Sequence, residues 1–240
     1  MGAAVNLSDI VFRWRKSGPV VLNIPSLSVA TGEKAFVSGP SGSGKTTLLN
    51  VLGCVAVPEE GRATVLGESI GELSAARRDS FRADRIGIIF QQFNLIPYLS
   101  VLDNVLLPCR FSGLRRQNAG GAAPQIAARA RDILARLELP VETLIDRPAT
   151  SLSVGQQQRV AAARALIGSP DLVIADEPTS SLDEDTRKSF IDLLFREIEK
   201  NNQTLIFVSH DRRLEGMVDR FVALDSVIRV SPAGFAKGPP

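Results

Sequence analysis

Gly39-Pro40-Ser41-Gly42-Ser43-Gly44-Lys45-Thr46 is the stretch that decides the fold. It matches the pattern GxxxxGK[ST], and the spacing has a physical reason. Glycines let a loop wrap so that several backbone N–H groups face phosphate oxygens. A helix that follows adds its positive N-terminal end. Lys45 is placed to reach β- and γ-phosphates and the Thr46 hydroxyl to ligate Mg²⁺. A Gly/Ser loop that binds nothing is the competing reading. The neighbours decide against it, because residues 35–38 form a short apolar strand and 46–52 read as a buried helix.

Further out, residues 5–30 read as strands. Leu22 and Ile24, then Leu27 and Val29, alternate around Pro25, and Gly18-Pro19 marks a turn. More strands are expected at 62–66 and 86–90, and short buried ones at 172–175 and 205–209. Ile126, Ala130, Ile133, Leu134 and Leu137 fall at helical spacing, between Pro124 and Pro140. Residues 155–167 read as a second strong helix, and 186–200 as a third with Phe190, Leu193, Leu194 and Ile198 on one face. Strands alternating with helices predict a mostly parallel sheet carrying a helical lobe. The tail, 231–240, has the composition of a disordered end.

Composition bounds the function. The 240 residues hold 28 Lys+Arg against 26 Asp+Glu, a net charge of +2, which argues against a chain built to grip nucleic acid. Two cysteines, Cys54 and Cys109, read as small core residues in a reducing compartment. The longest charge-free run, 86–102, is broken by Gln91, Gln92, Asn94 and Pro97 and is too short and polar to span a bilayer. The N-terminus lacks the basic start and apolar core of a signal peptide. A chain acting inside the cell is expected, with any membrane role exerted through a partner.

A second chemical motif is the apolar run 172–175 ending in Asp176 and Glu177. Asp176 suits coordination of Mg²⁺ through water. Glu177 is placed to polarise an attacking water as general base. Two solvated carboxylates at a strand end would be the plain reading in isolation; a phosphate loop in the same chain favours the catalytic one.

Leu152-Ser153-Val154-Gly155-Gln156 lies shortly before the acidic strand and opens the helix GQQQRVAAARALI. With the phosphate loop and the Asp-Glu pair, it resembles the ATP-binding cassette (ABC) family. Gln91 after IGIIF resembles that family's Q-loop, Ser181-Leu182-Asp183 its D-loop, and His210 after LIFVS its switch histidine. The motifs stand in the family's order over about residues 5–230. The resemblance implies one α/β domain over 1–230, a P-loop NTPase cassette. It has a mostly parallel sheet core, an antiparallel β subdomain and a helical subdomain at about 92–165.

The resemblance also implies site residues and partners. ATP and Mg²⁺ are the implied cofactors. Glu177, His210 and Gln91 are the implied catalytic residues, and Thr46, Gln91 and Asp176 the metal ligands. Gly39, Pro40, Ser41, Gly42, Ser43, Gly44, Lys45, Thr46 and Thr47 bind nucleotide, and Trp14 is the aromatic placed to stack on adenine. Ser153, Gly155, Gln156 and Asp183 reach the nucleotide held by a second copy of the cassette, so ATP glues a homodimer. Val154 stands where the family pattern has Gly and is expected to alter rate rather than abolish it. The strand and loop around Gln91 are most similar to the branch with lipoprotein-releasing, macrolide-export and cell-division cassettes. That implies an ATPase driving a separate transmembrane permease subunit from the cytoplasmic face of the inner membrane, for export or extraction. A regulatory membrane complex that transports nothing, and an importer cassette, remain the alternatives. The permease is expected to rest near 91–99, and Arg110, Arg115, Arg116, Arg129, Arg131 and Arg136 to form a solvated basic face.

Overall fold

The computed structural model describes residues 2–40, 42–180, 182–210 and 212–224, the last run without the side chains of 212–214. Ser41, Ser181 and the tail 231–240, all named above, lie outside the described residues. The chain divides into two compact units, residues 1–79 with 209–240, and residues 80–208.

The first unit contains β1 (Ala3–Phe12), β2 (Leu22–Ala30), β3 (Lys34–Ser38), α1 (Lys45–Leu52), β4 (Glu60–Val65) and β5 (Glu68–Ser69). Four strands form an antiparallel sheet in the order β2-β1-β4-β5. Its buried face reads Val5, Leu7, Ile10 and Phe12 on β1, against Val29, Leu27, Ile24 and Leu22 on β2. Both strands therefore shift phase at one level, between the pairs Ser8↔Ser26 and Ile10↔Ile24, where Asp9 and Pro25 lie. Asp9 takes a left-handed φ of 54° there, and Pro25 has no amide to donate. Gly61 on β4 is required at this bulge, because a Cβ on it would lie 2.3 Å from the Asp9 carbonyl oxygen.

β3 pairs in parallel with a strand near the chain's end (Arg220–Ala223), and Phe36 stacks on Phe221 with centroids 5.7 Å apart. The Asp219 carboxylate accepts the Lys34 amide at 2.8 Å and fixes the start of that pair.

α2 (Ala75–Arg85) carries the chain onward into the second unit. There β6 (Ile86–Ile89), α3 (Val101–Phe111), α4 (Gly113–Asn118), α5 (Ala123–Arg136), α6 (Val141–Leu144), α7 (Val154–Leu166), β7 (Leu172–Asp176), α8 (Glu184–Lys200) and β8 (Thr204–Val208) follow; the Arg220–Ala223 strand is β9. Three strands run in parallel, β6-β7-β8, with register pairs such as Ile88↔Ile174 and Ile174↔Ile206. β8 is buried throughout and β7 until Asp176, as expected for strands covered on both faces. Gly87 lets β6 approach α7: a Cβ there would lie 2.3 Å from the Ala165 carbonyl oxygen.

Two findings depart from the sequence expectations. Arg115 does not belong to a solvated face. It is 3% exposed and donates to the Ile167 carbonyl at 2.9 Å and to the Ala165 carbonyl, capping the end of α7. Burial pushes its pKa down to about 10. The remaining basic face is also partly neutralised, since Arg110 pairs with Asp103 and Arg136 with Asp132 and Glu197. Cys54 and Cys109 are buried and in no disulfide among the described residues, as core residues should be. No helix among the described residues is long and apolar enough to cross a membrane.

Candidate nucleotide site

In the first unit, β3 delivers the chain into the loop 39–44. Gly42 and Gly44 hold φ of 79° and 89°, which side chains rarely adopt, so glycine is needed at both. Gly39 packs closely, because a Cβ would lie 2.6 Å from Ser43 Oγ. The loop closes with the Ser43 amide on the Pro40 carbonyl at 3.2 Å. Lys45 turns back over it, its Nζ donating to the Gly39 and Pro40 carbonyls at 2.8 and 2.9 Å. Ser43 Oγ is buried without a hydrogen-bond partner among the described residues. α1 begins at Gly44 with no side-chain cap and no acidic residue in its first turn. An uncapped helix start, a cation drawn over the loop and an orphaned hydroxyl together suit a phosphate. Thr46 is exposed, whereas Thr47 is 6% exposed, one of the buried residues of α1 with Leu48 and Leu49.

The same unit holds Trp14 and His210. Trp14 meets Phe12 edge to face at 5.0 Å yet stays 59% exposed, leaving an aromatic surface open. The Ser209 amide donates to the Val37 carbonyl at 3.2 Å, so exposed His210 follows directly from a residue tied to β3.

In the second unit, Asp176 ends β7 opposite Val208, and both Asp176 and Glu177 are half-buried. Glu177 takes φ 41° while its amide donates to the Val208 carbonyl at 2.9 Å. A left-handed non-glycine residue costs of order 1–2 kcal/mol. Strain of this kind gathers at functional sites. The Pro178 carbonyl next door accepts Gln158 Nε2 of α7 at 2.6 Å, a buried tether the sequence reading missed.

Ser153 caps α7 reciprocally: its Oγ accepts the Gln156 amide at 3.3 Å and Gln156 Oε1 accepts the Ser153 amide at 2.9 Å. Gln156 is thus engaged in shaping the helix start. Val154 stands 46% exposed there. Asp183 caps α8, accepting the Thr186 amide at 3.0 Å, and that hydrogen bond holds its carboxyl below the usual range. A Cβ on Gly155 would lie 3.7 Å from Thr186 Cγ2, so the starts of α7 and α8 lie side by side. The structure therefore brings Ser153, Gly155, Gln156 and Asp183 to one end of this unit.

Gln91 is exposed just after β6, at the head of a tight turn. The Phe93 amide donates to the Phe90 carbonyl at 3.0 Å and the Asn94 amide to the Gln92 carbonyl at 2.6 Å. Phe93 is buried and Tyr98 is 80% exposed. Asn104 of α3, fully buried, holds the far end of this loop through the backbone of Ile96, Leu99 and Ser100. Asn104 and Gln158 carried one sequence signal, a polar residue at an apolar helical position.

Comparison with known proteins agrees with this layout. Residues 22–180 match the family model described as ABC transporter. The chain is 38% identical over 220 residues to the lipoprotein-releasing system ATP-binding protein LolD 1 of Caulobacter vibrioides, covering 90% of this chain and 91% of that protein. It is 38% identical to the macrolide export ATP-binding/permease protein MacB of Syntrophobacter fumaroxidans, covering 93% of this chain but 31% of MacB. The dimeric post-hydrolysis structure of the ATP-binding cassette MJ0796 bound to ADP and Pi superposes with a TM-score of 0.78 at 34% identity, covering 92% of this chain and 94% of that one. Motif order, fold and relatives all agree, and the chain belongs to the ABC transporter family.

Proposed function

We propose that this chain is the ATP-hydrolysing subunit that powers a separate membrane permease for export or extraction. The observation that carries it is the loop 39–45, with Lys45 drawn over its carbonyls, Ser43 Oγ orphaned and α1 uncapped. Loop amides, Lys45 and the α1 dipole bind the triphosphate, and Trp14 stacks on adenine. Glu177 orients and polarises the attacking water, and His210 contacts the γ-phosphate. Hard oxygen donors suit Mg²⁺, and Thr46, Gln91 and Asp176 offer a hydroxyl, an amide oxygen and a carboxylate. Mg²⁺ commonly rests on substrate phosphates and a few protein oxygens, the kind of donor these three residues offer. When bound, the ion neutralises charge on the β- and γ-phosphates.

Two copies pair head to tail. Ser153, Gly155 and the start of α7 in one copy close on ATP held by the loop of the other, adding a second helix N-terminus to the same anion. Hydrolysis splits that anion and loosens the pair, a population shift driven by the ligand. The dimeric cassettes among the relatives support this arrangement. The permease docks near 91–99, where Tyr98 is strongly exposed, and holds the chain at the cytoplasmic face of the inner membrane.

The test is capture from detergent-solubilised membranes with tagged Glu177→Gln protein, ATP and Mg²⁺. Recovery of one polytopic protein is expected. Recovery of soluble proteins alone would overturn the membrane assignment and leave a soluble ATP-driven clamp.

A further inference from the structure

Arg164 lies in the last turns of α7, ten residues after Val154 at the helix start. Its guanidinium does not pair with any carboxylate found among the described residues. Nη1 donates to the Asn94 carbonyl and Nη2 to the Phe93 carbonyl, each at 2.6 Å. Burial lowers its pKa, and no neighbouring anion offsets that cost. Those two carbonyls are unusual acceptors. Phe93 and Asn94 are successive non-glycine residues with left-handed φ of 58° and 49°. Their turn closes through Phe93 N on Phe90 O and Asn94 N on Gln92 O, so it encloses Gln91 and Gln92. Such a turn holds only where its surroundings over-determine it. A planar fork that engages two adjacent carbonyls at once is a device few side chains provide.

We infer that Arg164 is a positioning residue for Gln91, clamping the strained turn to α7 so that the helix opening at Ser153 and the turn bearing Gln91 move as one piece. The inference rests on the reading of Gln91 as a nucleotide-sensing residue. It assigns the mechanical link to one side chain. Asn104 secures only the far end of the loop, from Ile96 to Ser100, and leaves the turn itself to Arg164.

The test uses the purified full chain with Arg164→Met, Arg164→Lys, Gln91→Ala and the Arg164→Met/Gln91→Ala pair. Two readouts are taken: steady-state ATPase kinetics, and amide hydrogen exchange without nucleotide. Arg164→Met should lower kcat by about 10-fold or more while KM for ATP stays within about 2-fold, because the phosphate loop is untouched. Exchange should quicken across 90–96 and stay unchanged in the first turns of α7. Lysine keeps the charge but not the fork, so Arg164→Lys should fall between. The double variant should be no slower than the slower single one, since both act through Gln91. If Arg164→Met fails to fold, Arg164→Lys carries the test, again with faster exchange confined to 90–96.

Wild-type turnover in the Arg164 variants beside an impaired Gln91→Ala would overturn the inference and leave the reading of Gln91 standing. Wild-type turnover in Gln91→Ala would overturn that reading instead, and the exchange data would still report whether the clamp exists. Exchange quickened evenly across the whole unit would make Arg164 a fold stabiliser only and overturn its positioning role.

Discussion

Asn104→Asp replaces one atom type in a buried side chain and should unsettle the loop that follows Gln91. Asn104 is fully buried. Its Oδ1 accepts the Ile96 amide at 2.8 Å, and its Nδ2 faces the carbonyls of Ile96, Leu99 and Ser100 at 3.1, 3.2 and 3.1 Å. An amide nitrogen has two protons, so two of the three carbonyls share one. The side chain thus contributes about three hydrogen bonds, at about 1 kcal/mol net each. An aspartate of the same shape turns the donor face into an acceptor. Ionised, it places negative charge against three carbonyl oxygens; protonated, it offers one proton for them. Burial against three carbonyl oxygens, with the Ile96 amide as the one donor kept, therefore raises the carboxyl's folded pKa above its unfolded value. The folded state then binds more protons than the unfolded one, and stability falls as pH rises through that window. At neutral pH a loss of about 3 kcal/mol or more is expected. Urea denaturation at pH 5 and pH 7.5 measures it, with wild type beside the variant. The deficit should be larger at pH 7.5. A variant within about 0.5 kcal/mol of wild type at both pH values, the ordinary range for an inconsequential surface change, would refute the reasoning.

Further outcomes follow from individual contacts. Ser153→Ala removes the acceptor for the Gln156 amide and should cost about 1 kcal/mol, read as a lowered thermal midpoint. Gly87→Ala drives a methyl into the Ala165 carbonyl and should cost about 1–3 kcal/mol. Gly113→Ala, with nothing near its Cβ, should be neutral or slightly stabilising in the same urea series. The hydrogen bond from Arg136 holds the Asp132 carboxyl below the usual range, so its contribution is present above the unfolded pKa of about 3.9 and lost as pH falls through the folded value. Asp132 is half exposed, so Asp132→Asn should cost under about 1 kcal/mol at pH 7. That gap should narrow in acid; a gap that widened below about pH 4 would contradict the assignment.

The legible parts of the chain were those where chemistry or periodicity is local. The loop 39–46 combines glycine conformation, a lysine and a hydroxyl within eight positions, and β7 is an apolar run ended by two carboxylates. Four helices escaped, α2, α3, α4 and α6, and for the two longest the physical reason is plain. α2, AARRDSFRADR, buries no residue and so shows no apolar stripe. α3 carries Pro108 inside it, a residue that reads as a stop. It is tolerated one turn from the end, where its carbonyl still accepts the Ser112 amide at 3.0 Å. The tethers were hidden more deeply. Arg164, Gln158, Asn104 and Arg115 all bond to backbone carbonyls distant in sequence or across a turn, and composition assigns such residues to the surface.

The most direct test of the account is Glu177→Gln in the purified chain with ATP and Mg²⁺, followed by turnover and by sedimentation. Amide replaces carboxylate with little change of shape, so nucleotide binding is kept and the base is lost. The account predicts turnover reduced by at least about 100-fold, the scale of a lost general base, together with an ATP-dependent shift from one copy to two. Turnover near the wild-type rate, or a variant that stays single with ATP bound, would contradict it.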